Sequence, residues 1–148
     1  MLTFKEISCL LKQKPPFVYI DKVLEIEPGK KIKAVKNVTA SDNFAAVHFP
    51  GNPIFPGVYI IEAAAQTASV YFAYEKKDMN ASEDYVYVIG GVQSFQFLSI
   101  VRPGDVLVIE VEIMKKVENM AITKTTITVD NNIVARGQMS FGAIKDER

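Results

Sequence analysis

HFPGNPIFPGVYIIEAAAQ, residues 48–66, joins a stretch that cannot be helical to one that can be little else. Pro50, Pro53 and Pro56 each lack an N–H and push the preceding residue toward extended geometry, which predicts an ordered loop over residues 49–55. Pro56 suits a first helical turn, where its missing donor costs nothing, and the alanine-rich run from Gly57 to about Glu75 predicts one long helix. Glu62 is a lone carboxylate near the start of that apolar run. With Gln66 and Ser69 it stands at i, i+4 and i+7, a narrow polar stripe on an apolar cylinder. Such a stripe can simply be the helix's solvent face. Here it contains no Lys or Arg, and its carboxylate lies beside the positive end of the helix dipole. A buried carboxylate costs several kcal/mol unless paired or protonated, so Glu62 is a candidate functional group. Desolvation would raise its pKa, whereas the dipole and any nearby imidazolium would lower it, and the sequence leaves the net direction open.

Working outward, Thr3 and Glu6 have capping-box spacing, and Phe4, Ile7, Leu10 and Leu11 follow at helical intervals. A short amphipathic helix is expected there, stopped by Pro15 and Pro16. FVYIDKVLEIE then reads as a strand, Pro28-Gly29 as a turn and KIKAVKNVT as the returning strand. After the long helix, DYVYVIGGV, SFQFLSIV, DVLVIEVEIMKKV, NMAITKTTITVD and NIVARGQMSFGAI read as strands of an antiparallel meander, with turns at Pro103-Gly104 and Asp130-Asn131-Asn132. A nearly all-apolar helix of about five turns must be covered, and a sheet of five to seven strands can wrap it. The expectation is one α+β domain over residues 1–148, a long central helix inside a curled antiparallel sheet. Strands such as DVLVIEVEI are apolar over much of their length, which predicts a sheet edge or face covered by a second copy.

The composition excludes several classes. Seventeen basic and seventeen acidic residues cancel, with no basic block, so nucleic acid is not an expected partner. Cys9 is the single cysteine and His48 the single histidine, too few for a His/Cys metal site or an intramolecular disulfide. Lys5 and Glu6 interrupt the region where a secretory signal would be apolar, and Val58–Tyr74 falls short of a membrane span, so a reducing, cytoplasmic setting is expected. His48 carries the one side chain whose unperturbed pKa is near neutrality.

His48 to Val58 and Glu62 to Gln66 together resemble the FabZ-type (3R)-3-hydroxyacyl-[acyl-carrier-protein] dehydratases, whose motif runs His-Phe-Pro-Gly-x-Pro-x-x-Pro-Gly-Val and then Glu-Ala-x-Ala-Gln. The resemblance continues through ISCLLKQKPPFVYIDKVLEI, KAVKNVT and VRPGDVLVIEVE. It implies the hotdog fold, a homodimer or trimer of dimers, a substrate carried on acyl carrier protein, and a reaction that needs no metal or organic cofactor. It further implies that His48 takes the C2 proton, that Glu62 of a neighbouring protomer serves the departing hydroxyl, and that the Gly57 N–H meets charge on the thioester oxygen. Gln66 resembles the residue that supports the glutamate, although a satisfied helix glutamine explains it equally. Related dehydratase-isomerases carry Asp where Glu62 stands, which points to dehydration without double-bond migration.

The chain also departs from the family pattern. Val47 stands where Gly usually precedes the histidine, and Leu98, Ser99 and Ile100 replace a Lys/Arg pair and proline suited to an acidic carrier. Arg102 and Lys115 are the cations available to compensate. Gln13-Lys14 replaces a His-Arg, and Tyr59 replaces a common leucine. These departures point to a specialised acyl, polyene or polyketide pathway. Two other readings stay open, a non-catalytic acyl-binding subunit that pairs with an active homologue and, with less support, a hotdog thioesterase.

Overall fold

The computed structural model of the chain describes residues 1–78 and 85–145. Helix α1 (Phe4–Leu10) opens on the expected capping box, in which the Thr3 hydroxyl accepts from the Glu6 N–H and Glu6 accepts from the Thr3 N–H at 2.8 Å. It ends at Leu11, before the prolines. Strands β1 (Lys22–Glu27) and β2 (Lys31–Asn37) form the first hairpin, and helix α2 spans Gly57–Asp78. Then come β3 (Tyr85–Phe97), β4 (Val106–Val117), β5 (Met120–Val129) and β6 (Asn132–Lys145).

All six strands make one antiparallel sheet in the order β1-β2-β4-β5-β6-β3. Strands β4, β5 and β6 are the expected meander, with the β5–β6 turn at Asp130 and Asn131, both at positive φ. Strand β3, by contrast, pairs with β6 and not with its sequence neighbour β4. It also unites two segments expected as separate strands. Bulges between Ile89 and Gly91 and between Gln93 and Gln96, with Ser94 at φ 48°, carry the ladder past residues that break alternation, and Leu98–Val101 leaves it. Asp84, where that strand was expected to begin, lies outside the described residues. Across the bulge, a Cβ on Gly137 would stand 2.6 Å from the Phe95 Cα, so a bare backbone is required there.

The sheet curls around α2, the hotdog arrangement. Alternation in β2, β4 and β5 sends Ile32, Ala34, Leu107, Ile109, Val111, Ala121 and Ile127 inward. They meet Ala63, Ala64, Ala68, Val70 and Phe72 of the helix, whose small residues let it lie close to the sheet. The outer face is polar, with Lys31 and Lys33 flanking Glu110 at 3.3 and 3.2 Å.

One expected strand is shorter than its sequence pattern. FVYIDKVLEIE pairs only from Lys22, because the backbone of Phe17 and Tyr19 is bonded to the Gln66 side chain in place of a neighbouring strand.

At the C-terminal end of α2, Glu75 ties helix to sheet. It accepts from the buried Tyr71 hydroxyl, from Gly29 N–H at 3.1 Å in the β1–β2 turn, and from Lys116 of β4 at 2.8 Å. Burial alone would raise the Glu75 pKa, but these donors hold it below the ordinary carboxylate value. Glu75→Ala strips the buried Tyr71 hydroxyl of its acceptor and should cost about 1–3 kcal/mol in urea unfolding. An unchanged midpoint would show that the network contributes nothing to stability.

Candidate active site

A 3-10 turn at Asn43–Ala46, absent from the sequence reading, delivers the chain into the proline loop. Phe44 and Phe55 are buried beneath it, edge to face with centroids 5.2 Å apart, and they fix the two ends of the loop to the core. His48 N–H donates to Phe44 O at 2.8 Å. The loop then closes on itself. Ile54 N–H donates to His48 O at 2.8 Å, Phe49 and Asn52 exchange backbone bonds at 3.2 and 2.9 Å, and Phe55 N–H reaches Val101 O at 2.8 Å.

His48 Nδ1 lies 2.8 Å from the Ile54 carbonyl. A carbonyl can only accept, so in the neutral ring Nδ1 carries the proton and Nε2 keeps its lone pair. The Phe49 ring stacks on the imidazole at 4.2 Å. Val47, which stands where the family usually has Gly, is 70% exposed and directs its bulk away from the core.

Glu62 is half-buried one turn above the loop-proximal end of α2. Gln66, fully buried, donates through Nε2 to Glu62 Oε1 at 2.9 Å and to Phe17 O at 3.1 Å, and its Oε1 accepts from Tyr19 N–H at 2.8 Å. All of these bonds point inward, so the Glu62–Gln66 stripe is not a solvent face. Ser69 takes no part in the network. Burial pushes the Glu62 carboxyl above the ordinary value, and the Gln66 amide only partly offsets this. The direction left open by the sequence is therefore upward.

Gly57 opens α2, so its N–H has no intrahelical partner. A Cβ there would come within 3.0 Å of the Phe97 ring. Beside it runs an apolar groove of about 320 Å3 lined by Ile54, Gly57, Ile60, Phe97, Leu98 and Ile100. Among the described residues, no hydrogen bond or ion pair joins His48 to Glu62 within the chain, and no cluster of three His, Cys, Asp or Glu side chains forms that could hold a metal. No described helix is long and apolar enough to cross a membrane.

Of the two cations available to replace the missing basic pair, Lys115 is not among the residues lining this groove. Arg102 is close, but its guanidinium already bonds Asn52 Oδ1 at 2.6 Å and Pro53 O at 3.3 Å. That contact spans fifty residues of sequence, and its one local sign is a cation beside the Pro103-Gly104 turn.

Residues 11–138 match the model of the FabA-like domain. The chain belongs to this family. Within it, the chain is 42% identical to the 3-hydroxyacyl-[acyl-carrier-protein] dehydratase FabZ of Ruminiclostridium cellulolyticum over 147 residues, 98% of this chain and 99% of that one. It is likewise 42% identical to the enzyme of that name from Acetivibrio thermocellus, over 97% and 96% of the two chains. Among solved structures, the dehydratase heterocomplex ApeI:P of Xenorhabdus doucetiae superposes with a TM-score of 0.83 at 16% identity, over 99% and 93% of the chains. At that identity the likeness speaks for the hotdog fold alone. The FabZ-type resemblance seen in the motif thus extends over the whole chain.

In this FabA-like chain, the raised pKa of Glu62 makes a stability prediction. The folded state binds the Glu62 proton more tightly than the unfolded state, so stability associated with that proton is present at low pH and is lost as pH rises through the folded pKa. Glu62→Gln, which keeps the shape and can still accept from Gln66, should raise Tm at pH 8, with the gain shrinking toward pH 4. A Tm at pH 8 below that of the unaltered protein would contradict this.

Proposed function

We propose that the chain is a (3R)-3-hydroxyacyl-[acyl-carrier-protein] dehydratase of fatty-acid biosynthesis or a closely related acyl-chain pathway. The observation that carries the reading is the pairing of an imidazole whose Nε2 is free with a carboxyl whose pKa is raised, on a chain 42% identical to curated FabZ enzymes.

Loss of water from a 3-hydroxyacyl thioester requires removal of a weakly acidic C2 proton and departure of a poor leaving group, hydroxide. The Ile54 carbonyl holds the Nδ1 proton of His48, which leaves Nε2 to take the C2 proton. The C2 electron pair forms the new C2–C3 double bond as the C3–O bond breaks. Glu62, kept protonated to higher pH by its burial, delivers a proton to the leaving oxygen, and water departs. Charge that develops on the thioester oxygen meets the Gly57 N–H at the positive end of α2. Gln66 holds Glu62 in place and is a positioning residue. The base, the acid and the dipole are all supplied by the protein, so the reaction needs no cofactor.

His48 and Glu62 do not meet within one chain, and a second copy supplies the complement. Strand β3 is a sheet edge of thirteen residues, with Val88, Ile89, Val92 and Phe97 exposed along it. A long apolar edge of this kind needs a partner strand. Antiparallel pairing of two β3 strands would make a dimer in which His48 of one protomer faces Glu62 of the other. Three such dimers can assemble further. The acyl chain would lie in the groove beside Gly57, with its carrier protein at the mouth. A cytoplasmic setting, where Cys9 stays reduced, fits this chemistry.

The test is turnover of a short 3-hydroxyacyl thioester, on a carrier protein and on a pantetheine mimic, followed by enoyl-thioester absorbance. Each of His48→Ala and Glu62→Gln should lose at least ~100-fold in kcat while staying folded. Unchanged rates in His48→Ala would overturn the reading. Turnover that appears only after a homologous subunit is added would favour the non-catalytic alternative.

A further inference from the structure

The loop that carries His48 has no regular structure, so the direction of its imidazole is set by individual bonds. The ring's own anchor is the Ile54 carbonyl, 2.8 Å from Nδ1. Asn52 and Pro53 immediately precede Ile54 and form the loop tip, and neither is held by the sheet. What reaches them is Arg102, whose Nη1 donates to Asn52 Oδ1 at 2.6 Å and to Pro53 O at 3.3 Å.

Arg102 is itself mounted on a rigid stem. Its backbone N–H donates to Asp105 Oδ2 at 2.8 Å, and its carbonyl accepts from Asp105 N–H at 3.0 Å. The same turn is locked to the end of β2, with Val38 N–H on Asp105 O at 3.0 Å and Gly104 N–H on Val38 O at 2.9 Å. A side chain fixed to the sheet thus grips the tip of the loop through charge-assisted bonds. The planar guanidinium can serve a side-chain amide and a backbone carbonyl from one fixed position, which an ammonium does less well.

We propose that Arg102 is a positioning residue for His48, holding Asn52 and Pro53 so that the Ile54 carbonyl stays beneath Nδ1. This rests on the dehydratase reading for its kinetic consequence, though not for its geometry. It assigns the guanidinium to the loop, in place of the carrier contact that its charge alone would suggest. Asn52 becomes the second half of the device.

Arg102→Met, Asn52→Ala, the double variant and Arg102→Lys separate these uses. For Arg102→Met, kcat should fall about tenfold on the carrier-linked and the pantetheine-linked substrate alike, since a displacement well under 1 Å at a catalytic group costs less than the ~100-fold of a full ångström. KM for the pantetheine substrate should stay within twofold. The double variant should be no worse than Arg102→Met, because the two side chains act through one bond, and Arg102→Lys should recover part of the loss. A second readout needs no turnover. His48 is the single histidine, so its ring N–H signal in a nitrogen–proton NMR spectrum is unambiguous. That Nδ1 signal should be sharp in the unaltered protein and broadened in Arg102→Met. A loss confined to the carrier-linked substrate would overturn the proposal in favour of carrier docking. Multiplying losses in the double variant, or an unchanged Nδ1 signal, would overturn it as well. If the unaltered protein turned over neither substrate, the dehydratase reading would fail, and the NMR comparison would still decide the role of Arg102.

Discussion

The buried amide of Gln66 holds two parts of the molecule in register, the central helix and the segment entering β1. One N–H fixes Glu62, the other holds the Phe17 carbonyl, and the amide oxygen receives the Tyr19 N–H. Every bonding position used is satisfied inside a region where an unmet polar group would cost about 1–3 kcal/mol. The central helix and the segment entering β1 are therefore locked together by one side chain. Because Gln66 occupies the backbone of Phe17 and Tyr19, β1 starts late. Because it reaches Glu62, that carboxyl is held in a half-buried position where the charged form is disfavoured.

The loop solves the complementary problem. An imidazole acting as a base near neutral pH must be uncharged and must present the correct nitrogen. The Ile54 carbonyl accomplishes the second by accepting from Nδ1, and Phe44 and Phe55 fix the loop ends that bring Ile54 there. In the proposed mechanism base and acid are thus prepared by different means, the first by a hydrogen bond to a backbone carbonyl and the second by desolvation. Neither preparation brings the two groups together. In the proposed dimer that task falls to the exposed β3 edge, which would make assembly and chemistry depend on the same surface.

Much of this was legible in the chain because it is governed by local rules. Three prolines dictate the loop, an alanine-rich run dictates the helix, and two-residue alternation dictates β2, β4 and β5. The pair His48 and Glu62 stood out because one was the only side chain of a type whose unperturbed pKa is near neutrality and the other a carboxylate in an apolar run. Long-range pairings were not legible. Nothing in the sequence tells β3 to join β6, since both neighbours offer similar apolar residues and the choice follows from how the sheet curls. The merging of two strand segments depended on Ser94 adopting positive φ, which serine seldom does. Gln66 was legible as a neighbour of Glu62 at i+4, but its bonds to Tyr19 and Phe17 were not, because those partners lie 47 and 49 positions away. The Arg102 contact was hidden for the same reason. The sign of the Glu62 shift required knowing how deeply it is buried and that no cation among the described residues contributes to it.

A site built from His48 of one protomer and Glu62 of another can be reconstituted by mixing subunits that each lack one of the two groups. His48→Ala and Glu62→Gln chains, each inactive alone, would be mixed, unfolded and refolded together, and turnover compared with the unaltered protein. In a random one-to-one mixture half the dimers are hybrid, and each hybrid has one intact site and one doubly altered site. Activity should therefore return to about a quarter of the unaltered level. If mixing restores nothing although hybrids form, the two residues do not share a site across the interface, and the account is wrong.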